Sequence, residues 1–427
     1  MRERLIVMRK YIKRILDKDD GLLLASGIFL FGSLFSSIAN YLYQIYMGRT
    51  LGPETYGVLG SLFAFIYIVQ IGGGTITTVI SHYTATYRAR KDYGRLRTLI
   101  TSSFRYLTII GIILLGLFIL LVPMIARFLK LDVAAGLILV GVLGFVSILF
   151  AVIGGYLNGL QRFLYQNVTS IISSGLKLVL GILFVVLGFG IAGAIGGVVA
   201  GIIIAFIVGF FALLRLRKVR PKKIKHLDVL KYAVPVLITT LIPALLITID
   251  ILLVKHFFSS REAGFFAAAD NIAKIVWFAS GFFVGVMFPK VVYLHARGKD
   301  TFKLFKSTLG YAALIVGAIT LLYFYIPHII VRLFYGAAYD ISGLIGFYGL
   351  AFGLYSLNQI MIMYNLALKR YAFIYYVIGA IIVEIGLIFL FHTSLFLVIL
   401  MMLLVLGALF VCLFFYTLRS SKKHKHL

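Results

Sequence analysis

Five ionisable side chains lie inside long apolar stretches of the sequence, where a charge is costly and therefore informative. They are Lys177, Asp250, Asp270, Lys274 and Glu384. Inside a membrane-spanning helix such groups face a cavity or each other, and they mark the paths of substrates, protons or ions. An ammonium group can act there as the charge partner of an anionic substrate, whereas a carboxylate can bind a coupling H⁺ or Na⁺.

Lys177 and Glu384 each stand alone near the middle of an apolar stretch. Lys177 needs a partner from another helix or from water, and we expect it to face a cavity because both ends of the stretch are too distant for snorkelling. Glu384 has two open interpretations. It is either a coupling carboxylate or a protonated and buried group.

Asp270 and Lys274 are four residues apart, which permits an ion pair along one helix. Either the two charges neutralise each other for membrane insertion, or Lys274 presents its positive charge to an anionic substrate while Asp270 adjusts the strength of that charge. Asp250 lies near the outer end of its stretch and can pair with Lys255 at the boundary. For Asp250 too, structural and functional roles both remain open.

Neutral polar side chains recur in some of the apolar stretches, where they usually form hydrogen bonds between helices. Asn40 and Gln44 are four residues apart in the first stretch, and Asn358 and Gln359 are adjacent in the tenth. Their concentration indicates a polar lining. The predicted substrate-binding set is Lys177, Lys274, Asn40, Gln44, Arg49, Gln70, Asn358 and Gln359.

The composition indicates which elements carry these residues. Of 427 residues, 62% are hydrophobic and only 13% are charged, whereas a soluble domain has about a quarter of its residues charged. A hydrocarbon core about 30 Å thick needs about 20 apolar residues per helix, and the apolar runs lack the alternation of barrel strands. We therefore predict an all-α polytopic membrane protein with about 12 transmembrane helices. The predicted spans are 22–47, 56–80, 104–126, 133–157, 167–188, 190–214, 232–256, 265–288, 307–331, 341–366, 372–391 and 394–418.

The placement of the net charge of +27 orients the protein. The segments on the N-terminal side of the membrane hold 33 of the 41 Lys and Arg residues, and those on the opposite side hold 6. This bias predicts that both termini are cytoplasmic. We expect the protein to lie in the cell (inner or cytoplasmic) membrane. The charge therefore does not indicate nucleic-acid binding.

The charge pattern also divides the chain. We predict a cytoplasmic, interfacial amphipathic segment at 1–20 and a basic cytoplasmic tail at 419–427. Between them lie an N-terminal six-helix lobe at 21–214, a basic cytoplasmic linker at 215–231 and a C-terminal six-helix lobe at 232–418. The single cysteine, Cys412, and the scattered histidines show no metal-ligand spacing, so we expect no metal and no cofactor.

A repeat relates the two predicted lobes. Gly57 and Gly264 are 207 positions apart, and the same offset joins Ala89–Arg90 to Ala296–Arg297 and Asn158 to Asn365. Six spans are an even number, so the two lobes have the same orientation. In transporters with such parallel repeats, the substrate path lies between the repeats and alternating access comes from their rocking.

The loops favour transport over enzymatic activity. The longest loops have about 15 to 25 residues, and a catalytic site for a large polar substrate usually needs more loop than this. The chain has no Walker A motif, so direct use of ATP is not expected. Our expectation is a transporter and not an enzyme.

Specific residues then resemble a known family. The stretch YQIYMGRTLGPETYGVLGSLFAFI resembles the first hairpin of the polysaccharide biosynthesis (O-antigen flippase) family, which commonly reads Arg-x-Leu-Gly-Pro-x-x-Tyr-Gly. It is matched here by Arg49, Leu51, Gly52, Pro53, Tyr56 and Gly57. The stretch TIDILLVKHFFSSREAGFFAAADNIAKIV looks like the family's seventh-to-eighth hairpin, with Asp250, Gly264, Phe266 and Ala268 in place.

The resemblance implies membership of the multidrug/oligosaccharidyl-lipid/polysaccharide exporter superfamily. It implies two six-helix lobes that form a V around a cationic cavity. It also implies flipping of a polyprenyl-(pyro)phosphate-linked oligosaccharide from the cytoplasmic to the outer leaflet. The expected partners are this lipid-linked oligosaccharide, H⁺ or Na⁺ and glycan-assembly enzymes, and we expect a monomer.

Three alternatives remain open from the sequence. The first is a cation-coupled multidrug or small-molecule exporter of the same superfamily, in which Asp250, Asp270 and Glu384 would line a compact pocket. The second is a membrane glycan polymerase or transferase, which would need large external loops. The third is a non-transporting scaffold of a glycan-assembly complex, which would tolerate loss of Lys177 and Lys274.

Overall fold

The computed structural model describes residues 20–131, 134–213, 219–297 and 299–423. These residues form helices and short connections without a strand, which confirms the predicted all-α class. Residues 1–19 of the predicted amphipathic segment, 214–218 at the start of the basic linker and 424–427 of the tail lie outside the described residues.

The first helical run, Asp20–Ala89, consists of two helices that meet at Gly52. Gly52 has φ 74° and ψ 168°, a conformation that is essentially available only to glycine, and Pro53 follows it as the first residue of the next helix. We therefore name 20–51 helix α1 and 53–89 helix α2. The remaining helices are α3 (Tyr93–Phe128), α4 (Ala134–Gly159), α5 (Phe163–Phe184), α6 (Gly190–Phe211), α7 (His226–Leu245), α8 (Ile249–Phe257), α9 (Ser260–Ala296), α10 (Phe302–Tyr325), α11 (Pro327–Phe334), α12 (Ser342–Ala367), α13 (Phe373–Leu390) and α14 (Leu395–Lys423).

Ten helical runs among the described residues are long and apolar enough to cross a membrane. Two of these runs, Phe31–Ala89 and Phe163–Phe211, contain breaks in the helix. The second break is a π-helical turn, Val185–Phe189, in which Gly188 has φ 89°, and Gly190 with φ 51° follows it. This break lies at the boundary between the predicted spans 167–188 and 190–214. The count of twelve spans and the side of the termini stay predictions.

Two predicted spans are divided. The span predicted at 232–256 is interrupted at 246–248, three residues beyond Pro243, so α7 and α8 are separate helices. The span predicted at 307–331 ends at Tyr325, and Pro327 starts the short helix α11. Proline lacks the N–H that continues a helix, and it is well tolerated in a first turn, which accounts for the start of α11 at Pro327.

The described residues form two compact units. The first comprises the residues up to Met47 together with Phe65–Ile238, and the second comprises Gly48–Ala64 together with the residues from Thr239 onward. In the first unit α6 packs closely against α5 and α4. In the second unit α12 is largely buried and packs against α9, α10 and α14.

Apolar side chains that point away from these units fit a lipid environment. Helix α3 is the clearest case, since Ile113, Leu120 and Met124 are 63%, 78% and 71% exposed. An exposed apolar surface of this extent is unusual in a soluble monomer and typical of a membrane-facing helix.

Candidate functional site

Lys177 forms the centre of a polar site in the first unit. Its Nζ on α5 donates a hydrogen bond of 2.9 Å to Oδ1 of Asn40 on α1. The same Nζ lies 4.5 Å from the centroid of the Tyr43 ring, which suits a cation–π contact. Lys177 is partly exposed and Asn40 is exposed. Both of these partners are electrically neutral, so neither cancels the positive charge of the ammonium group.

Close helix packing positions this lysine. A Cβ on Gly201 of α6 would lie 2.8 Å from the backbone N of Lys177, so the backbones of α5 and α6 touch there. A Cβ on Gly181 of α5 would lie 2.5 Å from Cε2 of Tyr43, so the Tyr43 ring of α1 packs directly against the backbone of α5. The Tyr43 hydroxyl donates to the carbonyl oxygen of Ala194 on α6 at 2.8 Å. Small residues thus fix α1, α5 and α6 around the ammonium group.

Only part of the predicted polar lining joins this site. Gln44 lies one turn beyond Asn40 on α1 and is buried, with 6% of its surface exposed. Gln70 lies on α2 and is exposed. The structure therefore brings Lys177 together with Asn40 and places Gln44 next to this pair along α1.

A buried group of carboxylates in the second unit surrounds Tyr348 of α12. The Tyr348 hydroxyl donates to Oδ2 of Asp250 at 2.9 Å and lies 3.4 Å from Oδ1 of Asp270. Oδ1 of Asp250 accepts from the backbone N–H of Ile251 at 2.8 Å. Asp250 and Tyr348 are 1% and 0% exposed. Tyr348 was not singled out from the sequence, although a tyrosine inside an apolar span needs a partner for its hydroxyl.

Lys274 belongs to this carboxylate group. It forms the predicted ion pair with Asp270 along α9, and the two side chains are only 11% and 8% exposed. Asp250 accepts a hydrogen bond from Tyr348, and Lys255 donates to Oγ of Ser260 at 3.0 Å. Lys274 is thus a buried counter-ion of a carboxylate.

Glu384 of α13 completes the buried group. It is 0% exposed, and neither carboxyl oxygen has a hydrogen-bond partner among the described residues. Helix α13 packs against α8, which carries Asp250, and Glu384 is close enough to Asp250 and Tyr348 to interact with them electrostatically. A buried carboxyl without hydrogen bonds is costly when ionised, which favours its neutral form or a bound cation.

The two predicted polar residues of α12 link helices. Nδ2 of Asn358 donates to the carbonyl oxygen of Leu406 on α14 at 3.0 Å. Nε2 of Gln359 donates to the Tyr355 hydroxyl, which in turn donates to the carbonyl oxygen of Pro243 at 3.2 Å. These bonds satisfy polar groups between packed helices, the commonest role of such residues in membrane proteins.

Arg49 lies at the end of α11. Its Nε donates to the carbonyl oxygen of Phe334 at 2.9 Å, and its Nη2 donates to that of Arg332 at 3.0 Å and to that of Leu333. The last carbonyls of a helix lack partners within the helix and attract cations. Arg49 therefore fastens α11 to the segment that starts at Gly48.

A tyrosine also binds the segment that starts at Gly48. The Tyr339 hydroxyl donates to the carbonyl oxygen of Gly48 at 2.6 Å, and burial raises the pKa of Tyr339. Tyr56, another residue of the family motif, accepts a hydrogen bond of 2.7 Å from Nδ2 of Asn271, and its oxygen lies 3.1 Å from the Tyr335 hydroxyl. The motif residues from Arg49 to Tyr56 thus anchor the segment 48–64 within the second unit.

Comparisons with known proteins agree with this architecture. The sequence profile described as "Polysaccharide biosynthesis protein" matches residues 23–295. No match was found among curated proteins.

Solved structures of transporters share the fold. An inward-facing structure of a multidrug resistance MATE family transporter of the MOP superfamily has a TM-score of 0.79 at 14% identity, covering 92% of this chain and 96% of that one. The lipid II flippase MurJ in an inward closed conformation has a TM-score of 0.71 at 16% identity, covering 92% and 87%. A MOP superfamily transporter from Pyrococcus furiosus Vc1, described as having a binding pocket of reverse polarity, has a TM-score of 0.60 at 15% identity, covering 94% and 95%. With this fold, and with a family profile that spans well over half of its length, the chain belongs to the polysaccharide biosynthesis protein family.

Proposed function

We propose that the protein flips a polyprenyl-phosphate- or pyrophosphate-linked oligosaccharide from the cytoplasmic to the outer leaflet by alternating access. The observation that carries this proposal is the Lys177 ammonium group, partly exposed within an apolar span and held by the neutral Asn40 amide and the Tyr43 ring. Membership of the polysaccharide biosynthesis family supports the same substrate class.

The substrate chemistry explains why such a site is useful. A phosphorylated glycan head cannot cross about 30 Å of hydrocarbon unaided, because its charges and hydroxyls would lose their hydration. Lys177 supplies a charge-assisted hydrogen bond to a phosphate oxygen, and the exposed amide of Asn40 beside it offers a partner for sugar hydroxyls. The polyprenyl chain is apolar and can remain in the lipid.

The carboxylate group of the second unit is suited to energy coupling in this proposal. This group holds three carboxylates, those of Asp250, Asp270 and Glu384, and one ammonium group, that of Lys274. Glu384 has no hydrogen bond among the described residues. Uptake of H⁺ or Na⁺ by this group would reduce its net negative charge, and release would restore that charge. We therefore assign phosphate binding chiefly to Lys177 and charge balance within the carboxylate group to Lys274.

The same carboxylates support a second candidate, a cation-coupled exporter of small cationic molecules. A buried cluster with an excess of carboxylates attracts organic cations, and one protein of similar fold is described as a multidrug resistance transporter. The two candidates differ in the charge of the transported group. A lipid-linked glycan carries an anionic phosphate, whereas the exporter of this second candidate would carry a cation.

Reconstituted vesicles separate these candidates. The purified full-length chain is placed in vesicles with a fluorescent polyprenyl-pyrophosphate oligosaccharide, and the fraction that reaches the other leaflet is measured by quenching. Parallel vesicles receive a fluorescent organic cation. Protein-dependent transfer of the glycolipid alone supports the flippase. Transfer of the cation alone would refute the flippase and support the exporter. Vesicles containing the Lys177→Ala variant should transfer glycolipid at a rate close to that of protein-free vesicles.

A further inference from the structure

A cavity of about 270 Å³ lies in the first unit, where the ends of four helices meet. Two arginines line it, Arg88 in the last turn of α2 and Arg162 at the start of α5. Tyr93 of α3, Tyr156 of α4 and Val219 of the linker also line it. All of these residues belong to the first unit, so the cavity is a feature of that unit alone.

Hydrogen bonds hold the walls of this cavity together. Nη1 of Arg88 donates to the carbonyl oxygen of Leu160, beyond the end of α4, and to Oε1 of Gln161 at 3.3 Å. The guanidinium group of Arg97 on α3 donates to the carbonyl oxygen of Val219. The end of α2 is thus bonded to the turn between α4 and α5, and α3 is bonded to the linker, so the fold sets the shape of the cavity.

The two arginines make the cavity positively charged. Among the described residues, neither Arg88 nor Arg162 takes part in an ion pair, and Arg162 makes no side-chain hydrogen bond. The acidic residue at the start of α3, Asp92, lies 3.5 Å from both Arg95 and Lys222. Its charge is therefore already shared by two cations that do not line the cavity.

A phosphate ester is the ligand class that suits this chemistry. A guanidinium group can bind phosphate oxygens through two parallel hydrogen bonds, and it stays charged at physiological pH. Helix α5 starts at Arg162 without a side-chain cap, so its N-terminal dipole adds positive potential beside that guanidinium group. The cavity is smaller than the roughly 300–1,000 Å³ of pockets for drug-sized ligands, which suits a small phosphorylated headgroup better than an oligosaccharide.

We propose that this cavity binds the phosphate group of a small ester, at a site separate from Lys177. Arg162 and Lys177 are joined by one continuous helix and are 15 residues apart, a helical rise of about 22 Å. A small ligand in the cavity therefore does not reach Lys177. The inference goes beyond the proposed transport and does not depend on the transported substrate.

The position of the cavity favours a phospholipid headgroup as the source of the phosphate. Tyr156 and Arg162 lie on either side of residue 157, the predicted end of a span, on the cation-rich side that is predicted to be cytoplasmic. Tyrosine is enriched at membrane interfaces, and basic pockets between transmembrane helices on this side bind anionic headgroups. A soluble phosphate shares the same chemistry and is the alternative source.

The second half of the sequence lacks the same charges. With the offset of 207, positions 88, 93 and 162 correspond to His295, Asp300 and Lys369. Two arginines and a tyrosine are thus replaced by a histidine, a lysine and an acid. The charge of the cavity is therefore particular to the first half and is not a consequence of the repeat.

Replacement of Arg162 tests the charge of the cavity, because its side chain makes no hydrogen bond among the described residues. The full-length protein in detergent micelles is titrated with phosphatidylglycerol and with a diacylglycerol of the same acyl chains, which lacks the phosphate. Native mass spectrometry gives the dissociation constant of the first bound lipid. The unmodified protein should bind phosphatidylglycerol at least tenfold more tightly, Arg162→Gln should lose this preference, and Arg162→Lys should keep part of it. The control Arg90→Gln removes the same charge from an exposed position outside the cavity and should keep all of it.

Inorganic phosphate, titrated by calorimetry at constant ionic strength, distinguishes the two sources. Binding of phosphatidylglycerol that depends on Arg162 and is not displaced by inorganic phosphate supports a lipid headgroup. Binding of inorganic phosphate that depends on Arg162, without such dependence for the lipid, supports a soluble phosphate. If Arg162→Gln binds both ligands like the unmodified protein, or if Arg90→Gln has the same effect as Arg162→Gln, the site is refuted.

A second variant fills the cavity and keeps both arginines. Val219→Trp adds bulk from the linker and should weaken binding of the same ligand at least tenfold. Melting temperatures show whether each variant is folded. If Arg162→Gln is unfolded, unchanged binding by a folded Val219→Trp variant would refute the cavity as the site.

Discussion

Replacement of Asn40 by aspartate probes the role of Lys177 without altering the shape of the site. Oδ1 of Asn40 lies 2.9 Å from Nζ of Lys177, so an aspartate at this position would place a carboxylate oxygen against the ammonium group. An incoming phosphate would then compete with an internal anion for the same charge. A hydrogen bond to a charged group contributes about 1.5–3 kcal/mol, so the affinity for glycolipid should fall by a factor of about 10 to 150.

The assay is glycolipid transfer in reconstituted vesicles, analysed for KM and maximal rate. Asn40→Asp should raise KM by the stated factor, and Lys177→Ala should reduce transfer to a rate close to that of protein-free vesicles. Asn40→Leu has a similar volume without the new charge and should raise KM far less, and Lys177→Arg should keep most of the affinity. Thermal unfolding of each variant reports whether the fold is intact. Equal effects of Asn40→Asp and Asn40→Leu would refute the reasoning, because the charge of Lys177 would then not govern binding.

Three further predictions concern stability. Lys274→Met alone should lower the stability by about 3–5 kcal/mol, because it leaves the buried Asp270 without its ion pair. In thermal unfolding, the double variant Lys274→Met/Asp270→Asn should recover most of this loss. A double variant as unstable as Lys274→Met would contradict the pairing. Gly52→Ala should lower the free energy of unfolding by about 1–3 kcal/mol, because Gly52 has a positive φ. The control Gly310→Ala, at an open position within a helix, should leave the stability unchanged or raise it. Equal melting temperatures of the two variants would contradict the strain at position 52. A backbone N–H at the start of α3 and a nearby lysine lower the pKa of Asp92. The ionised Asp92 therefore stabilises the fold at a pH above its unfolded pKa, and this stabilisation is lost as the pH falls through its folded pKa. The stability of Asp92→Asn, measured by unfolding between pH 6 and 3, should fall less with acid than that of the unmodified protein.

The sequence predicted the features that depend on local chemistry. The apolar runs predicted an all-helical membrane protein with a boundary between two spans at residue 189, which lies between Gly188 and Gly190, both with a positive φ. The spacing of Asp270 and Lys274 predicted their ion pair, since residues four apart lie on one face of a helix. The offset of 207 predicted the equivalence of Gly57 and Gly264, which meet each other in the structure.

Features that depend on tertiary packing were not accessible in this way. The partner of Lys177 had to come from another helix, and the sequence alone did not identify Asn40 as that partner, although it had placed both residues in the same set. Tyr348 joins two carboxylates from different helices, and no local pattern marks such a position. Arg49 was expected to line the substrate path, whereas it binds the end of α11, a helix that was not separated from the preceding span.

The most direct test of the account is a binding measurement that isolates the phosphate. The purified protein is titrated with a polyprenyl-pyrophosphate oligosaccharide and with a neutral glycolipid that has the same sugars and the same chain. We predict that the unmodified protein binds the phosphorylated form at least tenfold more tightly and that Lys177→Met abolishes this preference. Equal dissociation constants of the unmodified protein for the two lipids would contradict the account.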